Sequence, residues 1–197
     1  MKKFLIPIII LAVLILYFGT IYNSLVKKEE KVKQHWSDLQ TTYQRRLDLI
    51  PNLVSVVKGV SEFEKSVLQK VAEARSSALA GTGQQEVTAE NYKKQKQLQD
   101  SLAANVNRMI VLIEAYPELQ ALKSYLALQD QLAGTERRIV VAANDFNESV
   151  YDYNRSVRAF PTNIVAGISG FKQKEGFESV AGAKKPIEVK FTPSVLF

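Results

Sequence analysis

The feature that most constrains the fold is an uncharged, strongly apolar run from Phe4 to Val26, close to the amino terminus. Lysines stand on both sides of the run. At about 1.5 Å per residue, a helix of this length crosses a hydrocarbon core of about 30 Å. The sequence therefore predicts a transmembrane anchor over residues 1–26, which contacts the lipid bilayer through residues 4–26.

A cleaved signal peptide is the competing interpretation of this run, because such a peptide also has a basic start and an apolar core. The run is longer than a usual signal-peptide core, and no A-x-A-like cleavage site follows it, which favours an uncleaved, single-pass anchor. The excess of lysines after the run favours a cytoplasmic body. A body on the outer side stays open, since long domains translocate largely regardless of such charges.

Beyond residue 26, the apolar residues recur in alternating steps of three and four, as on one face of a helix. The first stripe begins at Val32 and continues past Gly59 to about residue 80, which predicts a rod that rises out of the membrane. Three further apolar runs cover 98–116, 119–132 and 139–160. Because helices with one apolar side bury that side against each other, we expect an all-α fold with a bundle of three or four long helices over residues 27–171.

Local signals mark where these helices begin and end. GTGQQ (81–85) is typical of a loop, Thr88 is the expected N-cap of the following helix, and Pro117 is expected to restart a helix. The stretch 160–171 predicts a short helix packed against the end of the bundle. Residues 172–197 are expected to form an extended, mostly irregular tail.

The motifs of common enzymes and metal sites do not occur in this sequence. It contains no cysteine and one histidine, His35, which excludes thiolate sites and sites that need two histidines. It also lacks the nucleophile elbow, the phosphate-binding loop and the dinucleotide-binding glycine motif. The net charge is +6, but the basic residues are scattered among acidic ones. We therefore expect a non-enzyme with no cofactor, no metal and no nucleic-acid partner.

The segment QRRLDLIPNLV places charges and a proline in the middle of an apolar stripe. Pro51 removes the hydrogen bond to the carbonyl of Leu47, at a cost of about 3 kcal/mol or more. We expect the proline to bend the helix and the freed carbonyl to accept from Arg45, from Arg46 or from a partner. Asp48 is expected to hold an arginine through an i, i+3 contact.

Other polar residues stand beside the apolar stripes. Arg46 lies on the buried side of its helix, Asn52 follows Asp48 by four residues, and Glu136 interrupts a later stripe. These residues either set the register of the helices, as buried polar residues do in coiled coils, or form a recognition surface around Pro51. We predict that Arg46 and Glu136 pair across the bundle.

Four motifs occur in order along the chain: RRLDLIPNLV, EAYP, GTERR and FPTNIVAGISGF. With them, the chain resembles the LemA family of bacterial membrane proteins. The resemblance implies an amino-terminal anchor, a body of long antiparallel helices and membrane-associated roles, which in magnetic bacteria include forming organelle membranes. It implies no established activity and no catalytic residue. The family usually has a His-Glu pair where this chain has Phe63 and Glu64, so we expect no histidine-dependent role there.

Together, these observations predict a protein of the bacterial cell membrane that acts through a protein partner, as a scaffold or adaptor. The partner is unidentified, and a second copy of the chain could also serve. A protein that shapes the membrane by binding lipid directly is one alternative, and an uncharacterised hydrolase is another. The candidate interaction or structural sites are Arg45, Arg46, Asp48, Pro51, Asn52 and Glu136.

Overall fold

Six α-helices make up the body in the computed structural model, which describes residues 2–59, 63–83 and 86–174, with side chains from Ile6 onward. The helices are α1 (Lys2–Lys58), α2 (Lys65–Gly81), α3 (Ala89–Ile113), α4 (Pro117–Gln120), α5 (Lys123–Arg158) and α6 (Thr162–Ser169). These ranges contain no strand, and the all-α prediction is confirmed. Most of the predicted tail, from residue 175 onward, lies outside the described residues.

The first helix runs without interruption from the apolar segment into the body. Its 57 residues correspond to a length of about 85 Å. Its side chains from Ile6 to Tyr17 are exposed, whereas Leu25 is almost fully buried in the body. Within the described residues, α1 is the one helix that is long and apolar enough to cross a membrane. The expected division between residues 26 and 27 therefore falls inside one continuous helix.

The fifth helix packs antiparallel along α1, because the contacts between them run in opposite directions along the two sequences. Near the apolar segment of α1, Lys28 Nζ donates a hydrogen bond to Ser156 Oγ at 2.5 Å. Further up, the rings of Trp36 and Phe146 lie 5.2 Å apart between centroids. The long helices α1, α2, α3 and α5 agree with the predicted number of three or four.

The predicted rod through residue 80 is wrong, since α1 ends at Lys58. A second helix, α2, begins at Lys65 and folds back along α1, so that Arg75 reaches the carbonyl of Leu47. Folding back buries the apolar stripe of α2 against its neighbours, whereas one straight rod would leave that stripe in water. The periodicity continues across the turn because both helices carry the same kind of apolar face.

The buried apolar side chains form two clusters along the bundle. The proximal core, nearest the apolar amino-terminal segment, contains Leu25, Val32, Trp36, Leu39, Tyr43, Ile139, Phe146, Val150, Tyr153, Val157 and Ala166. The distal core contains Leu47, Ile50, Leu53, Val57, Phe63, Val67, Val71, Ala78, Leu102, Val106, Met109, Ile113, Leu119, Tyr125 and Leu132. Each fully buried large apolar side chain adds about 1.5–3 kcal/mol. On α1, the two cores meet between Tyr43 and Leu47.

The predicted starts of α3 and α4 and the predicted short helix near residue 165 are confirmed. The side chain of Thr88 caps α3 by accepting a hydrogen bond from the backbone N–H of Asn91 at 3.1 Å. Pro117 is the first residue of α4, although this helix lasts only one turn. The short helix predicted within 160–171 is α6, which packs on α1 and α5 and is followed by Gly170, whose positive φ of 79° caps it.

Candidate interaction site around Arg46

Arg46 lies on the buried face of α1, at the junction of the proximal and distal cores, and is only 4% exposed. Its Nη2 donates to Oε2 of Glu136 on α5. Its Nη1 donates to two acceptors of Gln99 on α3, the backbone oxygen at 3.2 Å and Oε1 at 3.1 Å. One guanidinium therefore joins three helices, and the predicted pair of Arg46 and Glu136 is confirmed.

Two buried glutamines extend this contact into a polar layer, defined here as Arg46, Gln95, Gln99 and Glu136. Gln95 and Gln99 are four residues apart on the inward face of α3, 2% and 1% exposed. Within the described residues, neither amide atom of Gln95 has a hydrogen-bond partner, and the same holds for Nε2 of Gln99 and Nε of Arg46. Because buried polar groups are normally paired, these atoms lower the stability of the core at this level.

The sequence pattern could have revealed the two glutamines. Stepping back from Leu102 by three and then by four residues gives Gln99 and Gln95, so they continue the apolar stripe of α3. The prediction began that stripe at Leu98 instead, which is only half-buried. Periodicity therefore located the buried face of α3. Gln95 and Gln99, at the amino-terminal end of that face, were missed because they are polar.

Tyr43 lies one helical turn before Arg46 on α1 and is buried in the proximal core. Burial raises the pKa of the Tyr43 phenol well above its ordinary value, Tyr92 adds to the rise, and Arg46 opposes it. The phenol is therefore neutral at physiological pH. Because it contributes no charge, the carboxylate of Glu136 is the acidic group that balances Arg46 in the polar layer.

The carbonyl of Leu47, which Pro51 leaves without its helical donor, finds a donor on another helix. Nε of Arg75 on α2 donates to it at 3.0 Å. The prediction that a side chain would satisfy this carbonyl is confirmed, but the expected donors, Arg45 and Arg46, are wrong. Arg46 points to Glu136 and Gln99, and the fold-back of α2 brings Arg75 close instead.

Two grooves run along α5 at the level of the polar layer. The α1–α5 groove has a volume of ≈ 430 Å³ and is lined by Arg45, Asp48, Leu49, Asp130, Gln131, Gly134, Thr135, Arg137 and Arg138. The α3–α5 groove has a volume of ≈ 500 Å³ and is lined by Arg46, Ala103, Val106, Asn107, Ile110, Gln129, Leu132, Ala133, Glu136 and Arg137. Arg137, within the GTERR motif (134–138), lines both grooves.

The candidate residues of α1 differ in their exposure to solvent. Arg45 and Asp48 are exposed and line the α1–α5 groove, whereas Arg46 is buried. The predicted i, i+3 contact of Asp48 with an arginine is wrong, since its Oδ1 accepts from Nε2 of Gln44 at 2.8 Å, one turn earlier. Pro51 and Asn52 are both exposed and line neither groove. The α1 helix continues through Pro51 to Lys58.

This fold defines a class, the all-helical bundle proteins with one long apolar amino-terminal helix. The chain belongs to the LemA family, because the family model described as "LemA family" matches residues 35–191. The match begins within α1 and covers α2 to α6 completely. The family resemblance seen in the sequence is thereby confirmed.

Curated relatives agree with this assignment. The chain is 28% identical over 192 residues to the magnetosome protein MamQ of Magnetospirillum gryphiswaldense, covering 88% of this chain and 70% of that protein. It is 28% identical over 184 residues to the magnetosome protein MamQ 1 of Paramagnetospirillum magneticum, covering 84% and 68%. It is also 26% identical over 167 residues to Protein LemA of Metamycoplasma hominis, covering 84% and 73%. These relatives support a membrane-associated bacterial protein.

Proposed function

We propose that this chain is a non-enzymatic, single-pass protein of the bacterial cell membrane whose helical body binds a partner protein and so acts as a scaffold or adaptor. In this proposal residues 1–26 anchor the chain, residues 27–171 bind the partner, and residues 172–197 form an extended tail. The observation that carries the proposal is the α1–α5 groove, whose arginines form no ion pair among the residues that the structure describes.

The arginines of this groove stand on both of its walls. Arg45 lies on α1, and Arg137 and Arg138 lie on α5. Within the described residues none of the three forms an ion pair, although Asp48 and Asp130 also line the groove. The excess of positive charge favours an acidic segment of a partner, because a guanidinium binds a carboxylate through two parallel hydrogen bonds.

The polar layer holds together the helices that form the α1–α5 groove. Arg46 ties α1 to α5 through Glu136 and to α3 through Gln99, directly beside the groove. Binding surfaces on helices that are held in register keep their geometry better than surfaces on loops. The adjacent arginines therefore have different roles, since Arg46 fixes the walls and Arg45 faces the partner.

A photo-crosslinking amino acid placed in the groove tests the proposal in the native membrane. Gln131 is suitable because it is exposed and lines the groove. We expect the full chain with the crosslinker at this position to form a covalent adduct with one partner. The charge-reversal variant Arg45→Glu with Arg138→Glu should lose that adduct, because both walls of the groove then repel an acidic segment.

The matched control reverses the same number of charges outside the groove. Lys94→Glu with Arg108→Glu changes two exposed residues of α3 and should leave the adduct intact. If the groove position gives no adduct, or if both reversal variants lose it equally, the groove is not the binding surface. Direct binding of lipid by a membrane-shaping protein then becomes the leading hypothesis.

A further inference from the structure

The short helix α6 presents an apolar face that nothing in the described part of the chain covers. Phe160, Ile164 and Ile168 are 80%, 53% and 72% exposed. Ile164 and Ile168 are four residues apart on α6 and therefore lie on one side of it, and Phe160 lies just before the helix. An exposed apolar cluster of this kind marks a contact with another apolar surface, because water solvates it poorly.

The opposite face of α6 is packed against the base of the bundle. Val165 and Ala166 are 5% and 1% exposed, and Ala166 belongs to the proximal core together with Leu25 of α1. Just after α6, the ring of Phe171 packs edge-on against Tyr22, with centroids 5.6 Å apart. The apolar outer face is therefore held rigidly, and it is not the fraying end of a tail.

These contacts place α6 at a definite level along α1. A helix that enters the hydrocarbon at Phe4 crosses about 30 Å in about 20 residues, so it leaves near Asn23. Tyr22, which packs on Phe171, lies at that level. So does Leu25, which belongs to the proximal core together with Ala166 of α6. The helix α6 is thus located where the anchor would leave the hydrocarbon, in direct continuity with the apolar surface of α1.

The charges around α6 fit the same location. No charged residue occurs from Ala159 to Phe171, whereas Arg155 and Arg158 precede this stretch and Lys172 follows it. These three basic residues are exposed. Long basic side chains beside an apolar segment reach the headgroup region while their stems cover apolar surface, as in helices that lie in the membrane interface.

We propose that α6 lies in the interface of the bilayer, with Phe160, Ile164 and Ile168 inserted among the acyl chains. The occupant of the exposed face is therefore lipid, and the basic residues around it face anionic headgroups. This inference depends on the proposed membrane anchor and goes beyond it. A second contact beside the anchor prevents the body from rotating freely about α1 and fixes which face of the bundle points towards the membrane.

Single cysteines can test this in the full chain, which contains no cysteine of its own. Ile164→Cys and Ile168→Cys carry a fluorophore on the α6 face. Leu16→Cys reports on the anchor, and Val111→Cys is the matched control, a 62% exposed apolar site on α3. Each protein is reconstituted in vesicles of phosphatidylcholine and phosphatidylglycerol with brominated acyl chains, which quench fluorophores inside the bilayer. Iodide in the buffer quenches fluorophores in water.

We expect the labels at positions 16, 164 and 168 to lose most of their emission to brominated lipid, and the label at position 111 to lose it to iodide. If position 16 is quenched by lipid while positions 164 and 168 behave like position 111, the inference is refuted and the anchor stands. If position 16 also escapes lipid quenching, the proposed anchor itself fails. Shielding of positions 164 and 168 from both quenchers would show that protein covers α6, and it would also overturn the inference.

Discussion

The ion pair between Arg46 and Glu136 offers the sharpest test of how the bundle is held together. We consider the two single substitutions Arg46→Ala and Glu136→Ala and the double variant, compared as a double-mutant cycle. The cycle isolates the energy that the two side chains contribute jointly, since the separate effects of each truncation cancel. It also tests whether a half-exposed carboxylate can stabilise a buried guanidinium.

The expected magnitudes follow from the geometry. Breaking a fully buried pair costs about 3–5 kcal/mol, but the Glu136 side chain is 48% exposed, so we expect about 2 kcal/mol for Glu136→Ala. Arg46→Ala also removes two hydrogen bonds to Gln99, so we expect about 3–4 kcal/mol. The double variant should lose little more than Arg46→Ala alone, which gives a coupling energy of about 2 kcal/mol.

Urea unfolding of the full chain in detergent micelles measures these free energies. Far-ultraviolet circular dichroism follows the helices, and the fluorescence of Trp36, the single tryptophan, follows the proximal core. The control is Arg45→Ala, which truncates the exposed neighbouring arginine and should change the free energy of unfolding by less than about 0.5 kcal/mol. A coupling energy below about 0.5 kcal/mol would refute the reasoning, because the contact would then contribute nothing beyond its separate parts.

Three further predictions concern the carbonyl of Leu47, the start of α3 and the proximal core. Arg75→Met should lower the free energy of unfolding in urea by about 1 kcal/mol, because the Leu47 carbonyl loses its donor. In a Pro51→Ala background the restored backbone N–H can satisfy that carbonyl, so an equal loss in both backgrounds would contradict this explanation. Thr88→Ala should cost about 1 kcal/mol by the same measurement while Thr88→Ser should not, and equal losses would exclude a capping role. Burial raises the pKa of Tyr153 to about 12, above the ordinary value of about 10 for an unfolded chain. The fold thus favours the neutral phenol, so its contribution to the free energy of unfolding is complete below about pH 10 and is lost as the pH rises towards 12. Urea unfolding at these pH values measures the loss. Tyr153→Phe should make the loss smaller, because phenylalanine does not titrate.

Local and periodic features were predictable from the sequence because they depend on neighbouring residues. The cap at Thr88 and the helix start at Pro117 follow from backbone chemistry within one turn. The pair of Arg46 and Glu136 was predictable for a different reason. Each charge interrupts an apolar face, and a charge on a buried face requires an opposite charge or a set of hydrogen bonds.

Features that depend on the path of the chain were not predictable in the same way. The apolar stripe of α1 continues into α2 with no change of period, so periodicity could not show that the chain folds back after Lys58. Arg75 became the donor to Leu47 only through that reversal. The exposed face of α6 was also missed, since its level along α1 is visible only when α6 is packed against α1.

The continuity of α1 gives the protein a mechanical property. Arg46 lies about 35 Å along the helix from the expected end of the span near residue 23, with no hinge in between. A bilayer thinner than the apolar run is accommodated by helix tilt, and a tilt of about 20° would displace that point sideways by about 12 Å. The thickness of the bilayer thus becomes a variable that sets where the α1–α5 groove lies relative to any protein held beside it.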